Sequence, residues 1–92
     1  MIGSVKAEVR RDVAARLRSI AGHVRAVERM VDDDRYCVDL LRQTMAIEKA
    51  LERVDALLLE GHLRTCVADA FREGRSDETV KELAEIFNTA RR

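Results

Sequence analysis

Ninety-two residues suffice for one domain but not for a large core, so helices of the length read below need a partner to bury their apolar faces. With no Pro, four Gly and 3% aromatic residues, the composition favours an all-α chain and excludes a β-sandwich core or a base-stacking surface. A formal charge of zero argues neither for nor against nucleic acid, but its distribution is uneven. Residues 1–31 hold seven Lys/Arg against three acids, and residues 32–71 hold five against nine. A basic first segment is either a phosphate-facing stripe or an ordinary solvated helix face.

The first expected helix covers about residues 5–31. Its apolar positions Val9, Val13, Leu17, Ile20, Val24, Val27 and Val31 advance in steps of three and four, which is one stripe of a helix. Asp32, Asp33 and Asp34 interrupt it, and three acids in a row are expected to cap the next helix, whose positive end suits their charge.

The second helix is the long one, about residues 36–71. Cys37, Leu40, Leu41, Thr44, Ile47, Leu51, Val54, Leu58, His62 and Cys66 continue the same stepping, and Gly61 is the only weak point. A single Gly costs a helix about 1 kcal/mol, which packing can offset. Gly74 then ends the run and Ser76 is the expected N-cap of a third helix over 77–90, with Asp77 and Glu78 in its first turn. Val80, Leu83, Phe87 and Ala90 form its stripe. The chain reads as a single domain, 1–92, without repeat or linker. No leader pattern and no apolar run near ~20 residues is present, so a cytoplasmic protein is expected. In that reducing setting two Cys serve as ligands or redox sensors more readily than as a disulfide.

His62 and Cys66 are four apart and share a helix face. Alone, this spacing is weak, because Cys is frequently just buried and a His on a helix face is more often hydrogen-bonded than ligating. Cys37 sharpens it. It lies on the same stripe but 25 residues before His62, roughly 37 Å along a continuous helix and beyond the reach of one ion. Antiparallel pairing of this helix with its copy would bring Cys37 of one chain to the His62 and Cys66 end of the other, giving two equivalent sites per two-fold dimer. Two thiolates and one imidazole suit Cu(I), a soft ion content with three donors; zinc would want a fourth.

The stretches Arg16-Leu-Arg-Ser-Ile-Ala-Gly-His23, Tyr36-Cys37-Val-Asp-Leu-Leu and Gly61-His62-Leu-Arg-Thr-Cys66 together resemble the CsoR/RcnR family of metal-sensing repressors. The similarity covers nearly the whole chain, and the Cys–His–Cys set is that of the copper-sensing branch; the nickel and cobalt branch has His in place of the second Cys. The resemblance implies a repressor that binds operator DNA in its apo form and leaves it on binding Cu(I). It implies a dimer of antiparallel four-helix bundles assembled as a tetramer, and an outer shell of Tyr36 and Glu82 coupling metal capture to DNA release. Taken on their own, Tyr36 could equally be a packing residue and Glu82 a solvated charge.

There is no helix-turn-helix signature and no zinc finger, so DNA would be held by a basic surface. By resemblance Arg16 and Arg53 are its contact residues; Lys6, Arg10, Arg11 and Arg18 join them on charge alone. Ala56 stands where the family often has a basic residue, which weakens that part of the surface. Three rivals remain. A persulfide or thiol-redox repressor of the same fold would use Cys37 and Cys66 and leave His62 idle. An enzyme with Cys66 as nucleophile and His62 as base would want an oxyanion element that the sequence lacks, so no enzymatic activity is expected. A purely structural helical dimer leaves the separated motifs unexplained.

Overall fold

The computed structural model describes residues 5–90. Helix α1 runs Ala7–Asp32 and α2 runs Cys37–His62. Without leaving the helical region, α2 passes into a π-helical turn, Leu63–Val67, and then into the short α3, Ala68–Arg72. Helix α4 follows as Ser76–Ala90. The expected all-α chain of three helical rods is what forms, with no strand among the described residues.

The rod expected over 36–71 is interrupted. The dihedrals at His62, Leu63, Val67 and Ala68 are all right-handed helical, so the chain keeps its course but widens for one turn. Turns of this kind are rare and collect at functional sites. Gly61 stands just before the turn, and it is buried rather than strained. A Cβ there would meet Val5 Cγ1 and Val9 Cγ1, each at 3.7 Å. The missing side chain therefore lets the start of α1 lie close against the end of α2.

The acidic run does not cap α2. Asp34 takes φ 55°, Asp34 N–H donates to Val31 O (3.0 Å) and Arg35 N–H to Met30 O (3.1 Å). This pair of bonds is the Schellman closure of α1, with Asp supplying the left-handed residue that Gly usually supplies. Tyr36 is the N-cap of α2 and makes no side-chain capping bond. Gly74, at φ 78°, closes α3 in the same way, with Arg75 N–H donating to Ala70 O at 2.7 Å. Ser76 is the first residue of α4 rather than its cap.

Helices α1 and α2 fold back on each other as a hairpin, and α4 turns back towards the end of α2. His23 Nε2 and Gln43 Oε1, 2.6 Å apart and half-buried, bridge α1 and α2. The apolar core is thin. Val13, Val27, Val54, Val67 and Ala70 are the buried hydrophobic side chains among the described residues, while Leu41 is 57% and Leu51 40% exposed. The chain extends over 56 × 29 × 16 Å, so its apolar stripes exceed what one copy can cover. No helix among the described residues is long and apolar enough to cross a membrane.

Candidate metal centre and DNA-facing surface

His62 is the last residue of α2 and reaches across to α4, where its Nε2 lies 3.1 Å from Glu82 Oε1. A carboxylate only accepts, so Nε2–H donates, and in the neutral ring the lone pair is then on Nδ1. The imidazole side chain is 31% exposed and the carboxylate 60%. At that exposure the pair contributes little to stability, in the range of about 0–1 kcal/mol. Its effect is to fix the ring's tautomer and orientation, the task that an outer carboxylate performs for a ligating His. Cys66, a half-buried free thiol, sits inside the π turn one helical turn beyond His62.

Cys37 opens α2 as an exposed free thiol. It does not meet His62 or Cys66 within the chain. Among the described residues no group of three or more His, Cys, Asp or Glu side chains converges in a way that could hold a metal ion. A shared face does unite them. Cys37, Thr44, Leu51 and Leu58 step by seven along α2, and Leu41, Glu48, Asp55 and His62 form the neighbouring row. Such rows drift by only ~20° per step. Leu41, Leu51 and Leu58 on this face are all exposed. The two donors at opposite ends of α2 are thus joined by an uncovered face on which Leu41, Leu51 and Leu58 alternate with Thr44, Glu48 and Asp55.

Beside His62, α2 and α4 diverge around a groove of about 910 Å³, lined by Leu58, Leu59, Ile86 and Phe87 and edged by Asp55, Glu82 and Glu85. Ala56 lines the same groove and is exposed. Tyr36 is 66% exposed at the start of α2, a full helix length from Glu82 on the same chain.

The basic residues divide between faces of α1. Arg11, Arg18 and Arg25 recur every seven residues, and Arg29 follows Arg25 by one turn. Arg18 and Val27 are nine apart, about two and a half turns, so this row points away from the packed side. All four are exposed. Charge alone does not single out Arg25 and Arg29, although their seven- and eleven-residue spacing from Arg18 is visible in the sequence. Arg16 projects from the side of α1 opposite Arg18 and is paired with Asp12, Nε to Oδ1 at 2.9 Å. Lys6 precedes the helix as its N-cap, and Arg10 and Arg53 are exposed.

Residues 9–89 match the model of a family described as metal-sensitive transcriptional repressors. The copper-sensing transcriptional repressor CsoR of Bacillus subtilis is 43% identical over 75 residues, covering 82% of this chain and 74% of that protein. CsoR of Mycobacterium tuberculosis H37Rv is 37% identical over 68 residues, covering 74% of this chain and 57% of a longer relative. Among solved structures, the Cu(I)-bound copper-sensing repressor CsoR of Geobacillus thermodenitrificans superposes with a TM-score of 0.90 at 41% identity, over 100% of this chain and 95% of that one.

Proposed function

The chain belongs to the metal-sensitive transcriptional repressor family, and from that membership we propose that it is a Cu(I)-responsive repressor, bound to operator DNA when metal-free and released when Cu(I) is captured at a seam between two subunits. The observation that carries this reading is the imidazole of His62, held through Nε2 by Glu82 with Nδ1 left available, one turn from the Cys66 thiol. A ring oriented in this way has no part in a signal read by thiols alone. The persulfide alternative is weaker for that reason.

The donor set fits the ion. Cys66 and His62 of one chain, with Cys37 of a second, would supply two soft thiolates and one imidazole, which favour Cu(I) over harder or higher-coordinate metals. When bound, the ion supplies a cross-link between the two subunits. The chain's own residues do the rest. The uncovered face of α2 pairs antiparallel with its copy and brings opposite ends together. Glu82 keeps the imidazole in register, with Tyr36 of the facing chain as the second outer partner. The outward row of α1, Arg11 and Arg18 extended by Arg25 and Arg29, holds phosphate; Lys6, Arg10, Arg16 and Arg53 add to the basic surface of the assembled oligomer, a tetramer in this reading.

Release requires that Cu(I) bind the DNA-free form more tightly than the DNA-bound form, and DNA then weakens Cu(I) by the same factor. The test is anaerobic binding of the protein to a DNA fragment from upstream of its own coding sequence, with and without one equivalent of Cu(I). Affinity should fall at least tenfold on adding Cu(I) to wild type and stay unchanged for His62→Ala. Equal affinity of the apo and Cu(I) forms in wild type would sink the proposal.

A further inference from the structure

Thr65 lies between His62 and Cys66 in the π turn. Its Oγ1 donates to Gly61 O at 2.8 Å, and the same oxygen is 3.8 Å from Cys66 Sγ. The side chain is half-buried. Thr79 and Thr89 make similar bonds to Arg75 O and Glu85 O, but on the exposed face of α4, where the helix stays regular. Thr65 makes its bond inside the π turn.

A hydroxyl that bonds back to the carbonyl four residues earlier often bends a helix away from its regular course, and at Thr65 the departure coincides with the π turn. Here the accepting carbonyl belongs to Gly61, which is buried beneath Val5 and Val9. A buried carbonyl gains from a second partner. The geometric consequence falls on the two neighbouring donors. In a regular α-helix residues four apart stand ~40° apart around the axis. A turn closed over five residues takes more residues per revolution, so it changes that angle and re-aims Cys66 relative to His62.

We propose that Thr65 is a positioning residue of the metal centre: its hydroxyl clamps the Gly61 carbonyl, holds the π turn open and thereby sets the line on which His62 and Cys66 face a shared ion. This rests on the reading of His62 and Cys66 as ligands. The hold on the turn itself is a property of the metal-free chain.

Thr65→Val keeps the side-chain shape and removes the hydroxyl; Thr65→Ser restores it. Two quantities are measured on full-length protein. The first is amide hydrogen exchange across residues 63–68 in the apo state, and the second is Cu(I) affinity by competition with a chelator. Thr65→Val should speed exchange in that segment alone and weaken Cu(I) binding by about 10–100-fold, the usual cost of losing an outer-shell partner. Thr65→Ser should bring both within a few-fold of wild type. Thr65→Ala, read in the same way, stands in if the valine variant does not assemble. A hydroxyl-free variant that changes neither quantity, or only one of them, overturns the proposal, as does a serine variant no better than valine. Failure of wild type to bind Cu(I) would instead overturn the ligand assignment, leaving apo-state exchange to decide whether Thr65 holds the turn.

Discussion

His62 Nε2 and Glu82 Oε1 meet at 3.1 Å beside the groove between α2 and α4, a direct contact between the imidazole and the C-terminal helix. Removing the carboxylate with Glu82→Ala leaves the three donors untouched. Cu(I) stoichiometry should stay at wild-type level, while the drop in operator affinity caused by Cu(I) shrinks. Couplings between sites are typically about 1–3 kcal/mol, or 5–150-fold, and most of that factor should disappear. Anisotropy titrations of labelled operator with and without Cu(I) measure it, and an unchanged ratio removes Glu82 from the coupling.

A site shared between chains can be rebuilt from two broken parents. Cys37→Ala and Cys66→Ala homodimers should each lack a complete donor set. Unfolded together and refolded, they form mixed dimers in which one seam has all three donors and the other has only His62. The expected outcome is half the wild-type Cu(I) content in isolated heterodimers, read by anaerobic titration. If the donors came from one chain, mixing would restore nothing.

Leu51 is midway between Cys37 and Cys66 in sequence and 40% exposed on the face that joins them. In a two-fold antiparallel pairing the midpoint of α2 faces its own copy. Leu51→Asp would set two carboxylates against each other at the axis and leave them without solvent. Sedimentation should show a shift to monomer, or to unfolded chain by circular dichroism. A variant with wild-type size and helicity would place the seam elsewhere.

Arg18 and Arg25 occupy the outward row of α1. If both touch phosphate, Arg18→Ala and Arg25→Ala should each weaken operator binding about equally for any sequence. Each should also lower the slope of log K against log salt by roughly 0.9 for every phosphate left without its arginine. Arg16, paired with Asp12 on the other side of the helix, should change the slope less than Arg18. The reverse order would move the DNA to the opposite face of α1.

The rods are legible in the sequence because their signal is periodic. Valines every three or four residues in α1 and leucines along α2 define helices whatever they pack against. Closure at Gly74 is legible too, since Gly announces a left-handed residue. Asp34 misleads because aspartate serves equally well at the start of a helix and, less commonly, in the left-handed position that ends one. The choice depends on whether the chain reverses there, which local sequence does not state. The π turn is invisible for a related reason: no residue type marks it, and it becomes recognisable only when Thr65 is seen bonding back to a carbonyl that packing has enclosed. Of the proposed centre, the shared helix face of His62 and Cys66 can be read from their spacing. The contact between His62 and Glu82, 20 residues apart, has no periodic signature, because it depends on how α4 turns back after Gly74.

Among the described residues only five small hydrophobic side chains are buried, so stability that depends on the protein's own concentration is the expected behaviour. Thermal midpoints should climb with protein concentration. A cell that dilutes such a regulator by growth would then lose the fold and the sensor in the same step.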